Sequence, residues 1–395
     1  MASGPRNKTV AEFFAGIGLM RIGLESAGWR VTFANDIEDD KRRMYVDHFG
    51  NDAHFVLKDI HLIQALEVPT VALATASFPC NDLSLAGARK GLAGSQSSAF
   101  WGFVNILNAM GPLRRPPIVL LENVTGFLTS NNGNDFKDAL LSLNDLGYAV
   151  DAFIIDAARF VPQSRQRLFV VGVKTKAVPR LNETPSFYES DTRPSALADF
   201  ILWNPDVNWQ IRRLPPLPRC SRSLPDILEE LSPNSKLWWN KERCEYLLNQ
   251  MSEKHRKEAD VMISGKAIRY GTVFRRVRYG KSMAELRTDG IAGCLRTPRG
   301  GSGRQILFAA GKGKFAARLL TPRECARLMG ADDFKINAPL NQALFGFGDA
   351  VCVPAVKWVA DNYLNPLWHE QFESMPQPTE KSSTITYGRK PKPGT

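Results

Sequence analysis

The sequence predicts an α/β fold: a mostly parallel sheet with one antiparallel edge strand, and a smaller, mixed second domain. Three observations predict it. Up to about Val173, short apolar runs alternate with helix-like stretches, the pattern of βαβ units. From roughly Lys174 to Gln305 that regularity gives way to prolines, tryptophans and clustered bases such as VFRRVRYGK and RTPRGGSGRQ. Helical, apolar sequence then returns in LLTPRECARLMG and DAVCVPAVKWVADNYL.

In chain order, strands are expected at 9–14, 30–35, 71–77, 117–122, 149–156 and 168–173. Between the first two, GLMRIGLESAGW sets Leu19, Ile22 and Ala27 on one helical face that Gly28 can cap. The last two strands lie close enough in sequence to pair antiparallel at the sheet's edge. Domain limits follow at 1–173, 174–312 and 313–370, the last segment returning to the first domain. The Pro/Lys-rich stretch 371–395 is expected to be a disordered tail. Near the end, Pro322 suits a first helical turn, and Val351 and Ala355 align with Trp358 or Val359.

Composition bounds the class of protein. With 44% hydrophobic residues in 395, the chain can bury a real core. The excess of 51 Lys and Arg over 40 Asp and Glu, a net charge of +11, favours a polyanionic partner through release of condensed counterions. The cysteines at 80, 220, 244, 294, 325 and 352 form no C-x-x-C pair and no His/Cys cluster, which argues for a reducing compartment and against a structural metal. No secretory leader pattern and no run of about 18 apolar residues occurs, so a cytoplasmic location is expected, or a nuclear one in a eukaryote, without a membrane.

The first strand ends in FFAGIGLM, where Gly16 and Gly18 let backbone approach a ligand closely. Arg21 stands where a dinucleotide fingerprint needs its third glycine, so a pyrophosphate is disfavoured. Asp36, ending the second strand, is placed to accept from a ribose. In SFPCNDLS a lone cysteine, Cys80, follows an apolar run. Alone it would read as a small buried hydrophobe. But ENV at 122–124 and QSRQR at 163–167 adjoin other strand ends of the same sheet, so a thiol, a carboxyl and guanidinium groups can converge on one edge.

FFAGIG, Asn35-Asp36, KDI at 58–60, SFPCNDLS, ENVTGF, VPQSRQR, LTPRECARLMG and FGFGDAV stand in the order of the motifs of the C5-cytosine DNA methyltransferases. The chain resembles that family over most of 9–173 and 313–362. The resemblance implies a Rossmann-like methyltransferase sheet, with 174–312 as the target-recognition domain. It implies a compact, bacterial-type DNA (cytosine-5)-methyltransferase with S-adenosylmethionine as cofactor, S-adenosylhomocysteine as its product and no metal. Cys80 would add to cytosine C6 and Glu122 would hold N3 protonated; Arg165 would bond the base's O2, with Arg167 supporting the site by ion pairing. Phe14 would meet the adenine, the turn Gly16, Ile17 and Gly18 the methionine part, and Asp36 the ribose, with Ala15 and Ile37 also in the cofactor site. Asp59 and Ile60 would edge the adenine, with Phe78, Pro79, Asp349, Ala350 and Val351 completing the pocket. An asparagine is usual where Asp349 stands, and a second carboxylate beside the cofactor's own needs a compensating cation or proton.

The partner implied is double-stranded DNA, with the target base extruded and the chain acting as a monomer. A restriction endonuclease of the same specificity would share the site without direct contact. Asn81, Ser84, Arg89 and Lys90 in the loop after Cys80 are candidate DNA contacts, as are Arg275, Arg276, Arg278, Arg296, Arg299 and Arg304 in the basic region. A tRNA methyltransferase of the same family is the alternative, disfavoured by the large basic insert and the missing Cys-Phe-Thr signature. A catalytically inactive DNA-binding homologue is disfavoured by intact Cys80, Glu122 and Arg165.

Overall fold

Two sheets organise the chain, the larger built from the apolar runs of its first half. The computed structural model describes residues 7–50, 53–79, 98–175, 188–278, 280–297 and 303–373. The first half reads β1 (Thr9–Phe13), α1 (Leu19–Glu25), β2 (Arg30–Asp36), α2 (Asp39–Phe49), β3 (Phe55–Leu57), β4 (Leu73–Ala76), α3 (Ser98–Ala109), α4 (Gly111–Arg114), β5 (Ile118–Val124), α5 (Asn134–Asp145), β6 (Tyr148–Asp156) and β7 (Gln166–Lys174).

The larger sheet has the order β3-β2-β1-β4-β5-β7-β6, parallel except for β7. The antiparallel pair does close the sheet, but the reversed strand is not the outermost one: β7 inserts between β5 and β6. All six expected strands are present; β3, only three residues long, went unpredicted. Strands covered on both faces read as continuous apolar runs, and β5 is buried from Ile118 to Asn123. One face carries Phe103 and Leu107 of α3 and Leu140 and Leu143 of α5, and the other carries Met20 and Leu24 of α1.

Helix α1 ends at Gly28 as expected, with φ +85° and the Trp29 N–H returning to Leu24 O at 3.1 Å. Its buried face is Leu19, Met20, Gly23 and Leu24 rather than Leu19, Ile22 and Ala27.

The second half adds α6 (Ser195–Trp203), α7 (Lys241–Asn249), α8 (Glu253–Ser264), β8 (Arg269–Arg278), β9 (Lys281–Arg287), β10 (Ile306–Gly311), β11 (Lys314–Leu319), α9 (Pro322–Leu328), α10 (Leu340–Asp349), α11 (Val353–Val359) and α12 (Asn365–Trp368). Strands β8 to β11 form an antiparallel sheet, β11-β10-β8-β9, over a core that includes Leu247, Met262, Val273 and Phe308. Its limits differ from 174–312. The β10–β11 hairpin carries this sheet on to Leu319, while Leu197, Ile201 and Trp209 pack on the larger sheet. The tryptophans of this region are split between environments: Trp209 is buried under the large sheet, Trp203 is 77% exposed, and Trp239 packs against the core of the smaller sheet.

Pro322 opens α9 behind a capping box formed by Thr321 and Glu324. Val351, Ala355 and Val359 are buried, with Trp358 half-buried, so Val359 completes that face. The stretch Leu340–Phe372 is long and apolar enough to span a membrane, yet most of its apolar part is buried inside the protein, as core helices are. Of the expected tail, 374–395 lies outside the described residues.

Candidate active site

The order of the large sheet reverses at β1, with β2 on one side and β4 on the other, which opens a crevice beyond the carboxyl ends of β1 and β4. The turn after β1 is held there under strain. Phe14 adopts φ +58°, a conformation that costs a side-chain-bearing residue about 1–3 kcal/mol. Gly16 follows at φ +57° with nothing within 4 Å of where a Cβ would stand, leaving its backbone open to a ligand. At Gly18 a Cβ would run into the rings of Phe49 and Tyr45, so the chain closes tightly there. Ile17 is buried between these glycines, and Ala15 is buried and donates its N–H to Asn35 O at 2.8 Å.

Asp36 accepts from the Gly16 N–H and the Glu38 N–H, each at 2.9 Å, which fixes its carboxylate beside the open turn. Asn35 donates to Val56 O and Lys58 O and so ties β2 to the segment bearing Asp59. Asp59 caps the next turn through the His61 N–H, with Ile60 buried beneath it. Ile37 is 63% exposed, an apolar face free for a flat ring. Arg21 pairs with Glu25 at 3.0 Å and lies 4.0 Å over the Phe49 ring. Below the turn, burial pushes the Glu12 carboxyl up to about 8 against the opposing field of Arg21.

The ends of β4, β5 and β7 adjoin this turn. Asn123 Nδ2 donates to Phe78 O at 3.2 Å, locking the end of β4 beside β5. Phe78 is buried and Pro79 exposed at the last described position before Cys80. Cys80, Asn81, Ser84, Arg89, Lys90 and Arg299 lie outside the described residues. Glu122, 6% exposed, meets Arg167 Nε at 2.9 Å.

Arg165, expected at the base's O2, is placed against backbone. Its guanidinium, 2% exposed, is committed to backbone rather than turned to a ligand: it donates to Leu295 O at 2.8 Å, Gly348 O at 3.1 Å and Ala350 O at 2.6 Å. It stitches the segment after β9 and the end of α10 onto β7. The guanidinium beside Glu122 is that of Arg167. Gln163 reinforces the same seam, donating to Leu328 O and accepting from the Leu295 N–H. Cys294, 3.3 Å from Arg165, has its thiol held below its usual range: burial opposes this, but Arg165, Arg167 and Arg296 outweigh it.

At the end of α10, Asp349 accepts from the Thr297 hydroxyl and pairs with Lys41 Nζ at 2.9 Å. Lys41 thus sets a cation against Asp349, and it had no sequence signal, standing in the charged run DDKRR. Ala350 lends its carbonyl to Arg165, and Val351 is buried. Of the candidate DNA contacts, Arg276 and Arg278 both pair with Glu285, at 3.1 and 3.2 Å. Arg296 is exposed, Arg275 is half-buried, and Arg304 lies 5.9 Å from the Phe345 ring. Among the described residues no group of His, Cys, Asp and Glu is disposed to hold a metal ion.

Comparison with known proteins matches residues 8–365 to the C-5 cytosine-specific DNA methylase family. The Type II methyltransferase M.HhaI of Haemophilus parahaemolyticus is 25% identical over 356 residues, covering 89% of this chain and 92% of its own. M.NlaX of Neisseria lactamica is 27% identical over 357 residues, covering 89% and 95%. Among solved structures, the Dnmt2 methyltransferase of S. pombe aligns with a TM-score of 0.59 at 18% identity, over 91% of this chain and 99% of its own, a likeness of fold.

Proposed function

The chain belongs to the C-5 cytosine-specific DNA methylase family, and from that premise we propose that it methylates C5 of a cytosine flipped out of duplex DNA, at a specific sequence, through a covalent bond from Cys80 to C6. The observation that carries this is the Glu122–Arg167 pair at 2.9 Å, beside the strand end that leads through Pro79 into Cys80.

The turn Phe14–Gly18, Asp36, Ile37 and Asp59 suits a nucleoside without phosphates: one carboxylate fixed by backbone amides for paired hydroxyls, an exposed apolar face, and an open glycine. When bound there, S-adenosylmethionine supplies a methyl group on a sulfonium, an electrophile for C5. The thiolate of Cys80 adds to C6, and its electron pair passes through the ring to make C5 nucleophilic. Glu122 holds a proton at N3 and so stabilises the enamine, while Arg167 fixes the Glu122 carboxyl and faces the base's carbonyl edge. Loss of the C5 proton to a base then breaks the C6–S bond and returns the thiolate. Extrusion of the base costs a few kcal/mol, offset by groove contacts. The β8–β11 sheet with its basic strands serves as the target-recognition unit, and a bacterial cytoplasm is the setting.

Tritiated methyl transfer to duplex DNA and to tRNA in parallel, followed by bisulfite sequencing of the labelled DNA, tests this reading. Label is expected in duplex DNA at one recurrent sequence; label in tRNA alone would overturn it. The two arginines separate in the same assay. Arg167→Met is expected to slow transfer about 100-fold with the fold intact. Arg165→Met strands two buried carbonyls and a part-buried one and is expected to lower unfolding free energy by at least about 2 kcal/mol in denaturant titration.

A further inference from the structure

We propose that Lys41 and Asp349 together seat the amino-acid end of the methyl donor, Lys41 taking its carboxylate and Asp349 its ammonium group. This rests on reading the crevice as an S-adenosylmethionine pocket. Asp349 is the last residue of α10, where the helix's unpaired carbonyls already carry partial negative charge, so an acid there is unfavourable on its own. Nothing in packing requires it, since its side chain is 42% exposed.

Lys41 departs from its neighbours in a parallel way. Arg43 turns to solvent and pairs with Asp39 at 2.5 Å. Lys41 points inward between α2 and α10, with its side chain only 15% exposed and Nζ 3.3 Å from Glu38 and 2.9 Å from Asp349. Burial works against its charge, yet Asp349, Asp36 and Glu38 together hold the ammonium firmly protonated. The chain thus sets one fixed cation and one fixed anion side by side.

Their position is fixed against the glycine turn. A Cβ at Gly346 of α10 would stand 2.8 Å from Ile17 Cγ2 and 3.0 Å from Met44 Sδ, so α10 packs directly on that turn and on α2. The Thr297 hydroxyl holds Asp349 Oδ1, leaving Oδ2 to Lys41. A ligand bearing both an ammonium and a carboxylate exchanges this internal pair for two intermolecular ones with no charge left unmatched. A neutral ligand would leave the internal pair as it is and gain nothing from it, whereas a purely anionic one would draw Lys41 from Asp349 and leave that carboxylate to the Thr297 hydroxyl alone.

Isothermal titration of the full chain with S-adenosylhomocysteine and with 5′-methylthioadenosine, which lacks the amino-acid end, tests the assignment. The unmodified protein is expected to bind S-adenosylhomocysteine at least about tenfold more tightly. Lys41→Met is expected to weaken S-adenosylhomocysteine about tenfold or more while leaving methylthioadenosine within about twofold, and Lys41→Arg to retain most of the affinity. Asp349→Ala should give the same selective loss. Equal weakening of both ligands by Lys41→Met, or no change in either, would overturn the proposal while leaving the cofactor pocket standing. Failure of the unmodified protein to bind either ligand would overturn both.

Discussion

Cys80→Ala is expected to bind duplex DNA and S-adenosylhomocysteine with near-unchanged affinity and to transfer methyl groups at least about 10⁴-fold more slowly. Cytosine C5 is part of an aromatic ring and too weak a nucleophile to take a methyl group unaided, so without addition at C6 no lower-energy route remains. A free thiol near pKa 8.5 is only a few per cent ionised at neutral pH. A cationic group near the sulfur would favour the thiolate. Single-turnover transfer from labelled cofactor, with DNA affinity measured in parallel, separates chemistry from binding. Appreciable turnover by Cys80→Ala would contradict the covalent scheme.

Glu122→Gln is expected to slow transfer by about 10²–10⁴-fold while changing cofactor affinity less than about twofold. The amide still hydrogen-bonds but cannot share a proton with N3, so the enamine loses its stabilising partner. It also leaves Arg167 facing a neutral group in place of the carboxylate 2.9 Å away. Titration calorimetry beside single-turnover kinetics distinguishes the roles: loss of cofactor binding with intact chemistry would move Glu122 into the cofactor pocket.

The large sheet was legible because its strands are buried on both faces and so read as unbroken apolar runs, β5 above all. Strand β3 was too short to show such a run. The second sheet hid for a different reason: β8 buries Thr272 and Val273 but presents Arg276 and Arg278 to solvent, so its bases mask a half-buried strand. Asp36 and Glu122 could be singled out because they stand near strand ends, where a polar residue after an apolar run has few structural uses, and the structure places them toward the ends of β2 and β5. Arg165 and Arg167 share one strand parity, and spacing could not say which guanidinium would be spent on backbone carbonyls from sequence more than a hundred residues away. Lys41 was silent because its partner, Asp349, comes from the far end of the chain.

The proposed methyl transfer turns on a transient carbon–sulfur bond. A duplex carrying 5-fluorocytosine at the sequence found by bisulfite mapping, incubated with the protein and S-adenosylmethionine, cannot lose its C5 substituent as a proton and so cannot release the thiol. A denaturing gel should show a protein–DNA adduct that is lost in Cys80→Ala; a protein that methylates the unmodified duplex yet forms no adduct with the fluorinated one would contradict the account.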